Sequence, residues 1–342
     1  MIETSSRAKS RNPKKRATVI DVAELAQVGA STVSRFLRGV RVRPKVAERV
    51  ARAVKELGYE PDESARALRS GRSRTIGVIL PKITNVFFSQ CVQKMEEDAR
   101  QRGCTVVLLT HADQMEQQLA HLATLRRYRA DGVILAGAPG TTLRAVRAVF
   151  PDGPIVAFDN EISSGVDSVL LDNRHAAKVA TEHLLEHGYS HVACVTGRPD
   201  VYSFKERAEG YREAMTARGL GSDLIVAADY DRLRSLLEDA IKSSDRPTAV
   251  LSLSDFATRS VLSAYIELGL KPEERMPMIG FDDFEFAPLL DPPLTVMKQP
   301  IAEMVKQALS ILFARIEGSA AKKTKRILCT GELICRRSCG CS

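Results

Sequence analysis

Over residues 18–59 the apolar positions recur with a helical period. Val22, Leu25 and Ala26 stand at i, i+3 and i+4 and predict one buried face on a helix over Val19–Ala26. Thr18 is placed to cap that helix, and Asp21 in its first turn suits the positive end of the helix dipole. The pattern stops at Gly29, a residue that tolerates a sharp turn. It restarts at Ala30 or Ser31, with Val33 and Leu37 facing inward and Ser31, Arg35 and Arg38 on the opposite side. A third helix is predicted from Pro44, with Val46, Val50, Val54 and Leu57 as its stripe and Gly58 as its end. Three short helices with a tight turn between the first two predict an all-α helix-turn-helix. Its second helix would enter a major groove, with Arg35 placed to reach guanine edges.

Beyond Ile76 the period changes. IGVILP, TVVLLTH, GVILAG, PIVAFD, SVLLD, HVACVTG, LIVAADY, AVLSLSD and MIGFDD are short, continuous apolar runs. Longer amphipathic stretches such as FFSQCVQKMEEDARQRG separate most of them. Strand alternating with helix predicts an α/β body with parallel sheets. The Pro-Gly-rich segment at Phe150–Pro154 and the break after Asp159 divide the series into two halves.

Charge sharpens the division. Residues 1–75 hold 18 Lys and Arg against 8 Asp and Glu, whereas the remainder holds 32 against 34. A basic head on a nearly neutral body points to a polyanion-binding module joined to something else. Residues 1–17 are basic, aperiodic and expected to be a disordered arm. They contain no apolar stretch of the secretory kind, and no apolar run approaches the roughly 20 residues of a membrane span. Seven cysteines, an odd number, predict reduced thiols in a cytoplasm and not a disulfide framework.

TVIDVAELAQVGASTVSRFLRG (18–39) and GYEPDESARALRSGRSRTIGV (58–78) resemble the start of the LacI/GalR family of bacterial transcription regulators. The resemblance implies a periplasmic-binding-protein-like, two-lobed body. It implies base-reading positions at Ala30, Ser31 and Arg35. Two residues depart from the family pattern. Gly29 stands where many members have Ser, which shifts the expected cap to Ala30 or Ser31. Arg38 stands where Asn is frequent. The resemblance also implies a hinge helix near 62–68 that orders on DNA and inserts Leu68 between base steps of the minor groove. The candidate DNA contacts are Thr18, Ala30, Ser31, Thr32, Ser34, Arg35, Arg38, Ala65 and Leu68. The expected organisation is an arm (1–17), a DNA-binding domain (18–60), a hinge (61–75) and a body (76–342). Within the body the first lobe takes about 76–160 and 292–322, and the second about 161–291 and 323–342.

In open parallel sheets ligands bind beyond the carboxyl ends of strands. Asp159, Tyr230, Ser254, Asp255 and Asp282 stand at such ends, and Arg207 opens the amphipathic stretch after HVACVTG. By resemblance Asn85, Phe87 and Phe88 line the cleft, Arg207 grips effector oxygens, Asp282 opposes it and Tyr230 stacks on a ring. The candidate effector set is Asn85, Phe87, Phe88, Asp159, Arg207, Tyr230, Ser254, Asp282 and Gln299. Asp255 is expected only to cap the following helix. The resemblance implies a sugar or sugar-like effector, and basic Lys82, Arg207 and Lys298 near the cleft favour a sugar acid.

Catalysis is not expected: phosphate-binding loops, dinucleotide fingerprints and H-E-x-x-H or G-x-S-x-G signatures are missing. His183 and His187 share a helical spacing without an evident third ligand and are read as surface residues. Cys335, Cys339 and Cys341 are read as a flexible reduced tail. No metal and no cofactor are expected. The leading reading is a cytoplasmic, dimeric or tetrameric, effector-controlled regulator, in this family most often a repressor, on a palindromic double-stranded operator, with no membrane partner. The alternatives are a sugar-binding transport protein, disfavoured by the basic head, and a sugar kinase with a DNA-binding head, which lacks its phosphate loop.

Overall fold

A computed structural model describes residues 17–37, 39–59, 72–226 and 229–341. The chain separates into two compact units, Met1–Ser73 and Arg74–Ser342.

In the head, α1 (Val19–Leu25), α2 (Ala30–Leu37) and α3 (Pro44–Leu57) enclose a small core of Val22, Ala23, Ala26, Val33, Val50 and Ala53. A capping box starts α1: the Thr18 hydroxyl accepts from Asp21 N at 3.3 Å, and the Asp21 carboxylate accepts from Thr18 N at 2.7 Å. Leu25, expected inside, is 44% exposed; Ala23 takes its place because the third helix covers the face centred on Val22. The expected shift of the α2 cap also does not occur. Gly29 O accepts from Thr32 N and Val33 N, so Gly29 itself is the residue preceding the helix and supplies no side-chain cap. Gly58 ends α3 in the left-handed conformation, φ 56°.

Among the described residues the body holds two six-stranded sheets. The first has the order β11-β5-β4-β3-β1-β2 and the second β12-β10-β9-β8-β6-β7. The strands are β1 (Thr75–Leu80), β2 (Thr105–Thr110), β3 (Gly132–Leu135), β4 (Ile155–Phe158), β5 (Asp167–Leu171), β6 (Val192–Thr196), β7 (Asp223–Val226), β8 (Ala249–Ser252), β9 (Met278–Phe281), β10 (Thr295–Lys298), β11 (Arg326–Cys329) and β12 (Glu332–Ile334). Every described pairing is parallel except β10 with β12. Helices α4 (Val86–Gln101) and α11 (Ile301–Ile316) cover one face of the first sheet; α5 (Met115–Arg127) and α6 (Leu143–Val149) cover the other. The second sheet lies between α7 (Asn173–Glu186) with α8 (Tyr202–Ala217) and α9 (Tyr230–Lys242) with α10 (Asp255–Glu267). With both faces covered, central strands are buried throughout, which explains their uninterrupted apolar runs.

The lobe boundaries differ from the expected ones. β5 pairs with β4 in the first sheet, although the break after Asp159 suggested that it opens the second lobe. β10 belongs to the second sheet and β11 to the first, the reverse of their expected lobes. The Pro-Gly segment is only the loop between α6 and β4. Such runs look alike whichever sheet they join, so local pattern does not reveal the partner. The chain therefore passes between lobes three times: after β5, after β10 and between β11 and β12. At the third passage, Cβ on Gly331 would come 3.1 Å from Met297 Sδ, 3.2 Å from Lys298 O and 3.4 Å from Leu171 Cδ1, so the three passages are tightly packed.

Candidate functional site

The head presents α2. Ala30, Ser31 and Arg35 are exposed and Thr32 and Ser34 half-buried, while Val33 is fully buried beneath them. Exposed Thr18 starts α1 and is committed to its capping box. This gives one short helix anchored by its apolar side, with a guanidinium and small hydroxyls outward. Arg38, Ala65 and Leu68 lie outside the described residues.

Between the lobes of the body lies a cavity of about 280 Å³. The first lobe lines it with Asn85, Phe87, Phe88 and Asp159, and the second with Arg207, Ser254 and Asp282; Gln299 lies at the second passage. Eight of the nine candidate effector residues thus converge. Asn85 caps α4 by accepting from Phe88 N, and Ser254 caps α10 by accepting from Ala257 N. Phe87 stacks on Phe158 at 6.1 Å, which fixes an apolar wall. Lys82, Asn160, Arg198 and Phe204 also line the cavity.

Arg207 is 3% exposed, and its position is set by three contacts. Its Nε donates to Asn173 Oδ1 at 2.7 Å, its Nη1 to Leu253 O at 2.8 Å, and its Cζ lies 3.8 Å over the Phe281 ring. Close packing of α7 and α8 makes the first contact possible: a side chain at Gly210 would strike the Arg174 carbonyl. Asp282 is held at φ 69°, with its N–H on Met297 O at 2.9 Å and its Oδ1 accepting from Gln299 Nε2 at 2.6 Å. Asp159 is held at φ 62°, with its N–H on Val169 O at 3.1 Å.

No ion pair among the described residues joins Arg207 to either carboxylate, although all three groups are buried at one cavity. Burial pushes the Asp159 carboxyl up to about 6, with Arg207 opposing and Asp282 adding to the rise. Burial also raises Asp282, against Arg207 and the Gln299 hydrogen bond, and lowers Arg207, against both carboxylates. Gln299 Oε1 is buried without a partner. The site can accept hydrogen bonds at two carboxylates and an amide oxygen, and it offers a planar cation in the same lining.

Four expectations need correction. Tyr230 does not line the cavity; its hydroxyl donates to Glu267 Oε1 at 3.1 Å. It follows β7, the edge strand of its sheet, and the helix it opens is remote from the central strand ends. Lys298 is exposed and outside the lining. Ser254, not Asp255, caps α10; Asp255 is buried and paired with Arg259 at 2.8 Å. Finally, Cys339 and Cys341 pack against His183 and His187, with one ligand atom from each of the four lying within 4.8 Å of the others. Asn173 and Asn160 were missed because their partners, Arg207 and Ser203, are far away in sequence.

Residues 18–62 match the model of bacterial regulatory proteins of the lacI family. Residues 73–334 match that of periplasmic binding proteins and the sugar-binding domain of the LacI family. The chain is 32% identical over 308 residues to the HTH-type transcriptional repressor PurR of Vibrio vulnificus, covering 88% of this chain and 92% of that protein. It is 32% identical over 311 residues to the ribose operon repressor of Escherichia coli, covering 88% and 93%. A periplasmic binding protein/LacI transcriptional regulator from Alkaliphilus metalliredigens, solved with D-xylulofuranose, superposes with a TM-score of 0.70 at 25% identity, covering 78% of this chain and 98% of that one. A basic helix-turn-helix head, a two-lobed body and matches to both parts in the same order lead to one assignment: the chain belongs to the LacI family of bacterial transcription regulators and is not an enzyme.

Proposed function

We propose that this protein represses transcription as a cytoplasmic dimer on a palindromic operator, released or tightened by a sugar-like effector bound between the lobes. In this reading Arg35, with Ala30 and Ser31, reads base edges. Thr18, Thr32, Ser34 and Arg38 hold the backbone, and Ala65 and Leu68 contact the minor groove. Among the described residues no helix is long and apolar enough to cross a membrane.

The observation that carries the effector reading is the buried trio Arg207, Asp159 and Asp282, which line the cavity between the lobes with no ion pair joining them. Buried charges are ordinarily paired. Here a ligand with several hydroxyls would satisfy them together, donating to the carboxylates and accepting from the guanidinium. The cavity of about 280 Å³ suits a ligand with a single ring. Two carboxylates disfavour a third, so a neutral pentose or hexose is preferred over a sugar acid, despite Lys82 and Arg198 at the lining.

The test has two arms. A thermal-shift panel of neutral sugars, sugar acids and nucleosides should raise the melting temperature of the full chain for the true effector, because a native-state ligand stabilises by mass action. Fluorescence anisotropy on operator DNA should then show that ligand changing affinity. Arg35→Ala should weaken specific binding by about 1–3 kcal/mol and non-specific binding much less. Equal loss on both DNAs would make Arg35 a phosphate contact instead.

A further inference from the structure

The chain ends in a cluster that the cleft and the head do not use. α7 carries His183 in its last turn and His187 at its C-terminal cap, with ring centroids 4.8 Å apart. The tail returns to this helix along a fixed path. Arg336 binds both oxygens of Asp283 at 3.0 and 3.1 Å, and the Ser338 hydroxyl donates to Met278 O at 2.7 Å. One 3-10 turn at Arg337–Cys339 follows, and Gly340 at φ 98° reverses the chain. That reversal brings both Cys339 and Cys341 to the histidines. Glycine is required there twice over: by the left-handed φ, and by the Tyr189 hydroxyl, which an added Cβ would crowd.

Cys339 Sγ lies 3.2 Å from His183 Nε2. Cys341 Sγ lies 3.5 Å from His183 Nε2 and 3.3 Å from His187 Nε2. A zinc ion at about 2.3 Å from sulfur and about 2.0 Å from nitrogen, with tetrahedral angles, places ligand sulfur and nitrogen about 3.5 Å apart. These three sulfur–nitrogen spacings match within a few tenths of an ångström, and the four ligand atoms, which lie within 4.8 Å of one another, would draw in around the ion. Hydrogen bonding alone accounts for them less well. His183 Nε2 faces two thiols, and one ring nitrogen has a single lone pair or a single proton to share. The Thr295 hydroxyl stands 3.1 Å behind Cys339 Sγ, where an outer-shell partner of a metal-bound thiolate belongs. Two sulfurs and two imidazoles form a borderline-soft set that suits zinc and discriminates against magnesium and calcium.

We propose that His183, His187, Cys339 and Cys341 bind one zinc-class divalent cation, which fastens the C-terminal tail to α7 of the second lobe. The site is closed, with four protein ligands and a structural role. Cys339 is buried and His187 exposed, so the ion enters from the His187 side.

The experiment uses the full chain, purified under reducing conditions and dialysed against a chelator. Zinc titrated in against a chromophoric competitor should bind at one ion per chain and raise the melting temperature. Cobalt(II) should give the intense ligand-field bands of a tetrahedral ion together with a thiolate charge-transfer band. His187→Gln and Cys341→Ser should each weaken zinc binding by about tenfold or more, since even outer-shell losses cost that much. Cys104→Ser, in the other lobe, should leave it unchanged. Circular dichroism of the metal-free variants checks that they fold. The proposal is overturned if the folded chain takes up no zinc, if cobalt shows an octahedral spectrum, or if both variants bind as the parent does. It is equally overturned if the freshly reduced chain closes a Cys339–Cys341 disulfide in preference to binding metal.

Discussion

The two lobes of the body are variations on one topology, and their differences single out the residues of the cavity between them. Read across the two sheets, β4 corresponds to β9 and β5 to β10. Asp159 directly follows β4, and Asp282 directly follows β9. Both have left-handed φ, and both donate their N–H to the neighbouring strand, to Val169 O and Met297 O respectively. The carboxylates facing the cavity are thus the same structural device used twice. The helices after β1 and β6 also correspond, each 16 residues long. Yet the sixth residue is Cys91 in one and Arg207 in the other. Both are buried. Symmetry of backbone supplies two acceptors, and a break of symmetry at one position supplies the cation that shares their cavity.

The largest expected effect comes from removing that break. Arg207→Ala should lower effector affinity by about thirtyfold to several thousandfold, because truncating one member of a buried, hydrogen-bonded charge set costs about 2–5 kcal/mol. Operator affinity without effector should stay within a few fold. Calorimetry with effector and anisotropy with operator measure the two. Retained effector binding would mean that the cavity is not the site.

Next come the matched aspartates. Asp159→Asn and Asp282→Asn should each weaken effector binding by roughly tenfold to a hundredfold, as charged acceptors become neutral ones. They should have the opposite effect on stability. The folded-state carboxyl of Asp159, at about 6, is above its ordinary value of 3.8, so the folded state holds the extra proton in that interval. The contribution of this group to the stability of the effector-free protein then falls as pH rises from about 4 to about 6, by on the order of 2 kcal/mol. Asp159→Asn should flatten that slope and raise the melting temperature at neutral pH. Effector binding by the parent should weaken below about pH 6, where Asp159 loses its charge. An Asp159→Asn variant whose stability follows the same pH course as the parent's across this interval would contradict the raised carboxyl.

The smallest effect should come from Cys91→Ala. This position mirrors Arg207, but its thiol, raised far above its ordinary range by burial, is an apolar filler. A stability loss of about 1 kcal/mol from the small cavity, with effector affinity within a few fold, would sharpen the contrast. A loss as large as that of Arg207→Ala would abolish it.

Much of this arrangement was legible in the chain. All nine strand runs named from pattern alone are strands, and the strand-end aspartates reach the cavity. Local chemistry sufficed there, because a buried parallel strand needs an apolar run and a polar residue where it ends. Lobe membership was not legible. β5, β10 and β11 choose partners through packing across long separations, which leaves no local trace. Tyr230 was misplaced for a related reason: that a strand lies at the sheet edge is known only once the order is known. The tail cysteines illustrate the same limit. Their partners stand 154–158 residues away, so the spacing that makes a compact zinc motif readable was never present.

The triple passage between lobes also dictates when the body can exist. Its first sheet lacks an edge until Arg326–Cys329 has been made, and its second until Glu332–Ile334. Neither lobe is a continuous segment, so no single cut in the chain frees one of them whole. A ribosome emitting this protein releases the head early, since its three helices end at Leu57. The body, in contrast, can pair β1 to β5 early but completes its two sheets only when β11 and β12 have been made. Between those moments the chain carries three complete head helices and two sheets each still lacking an edge strand.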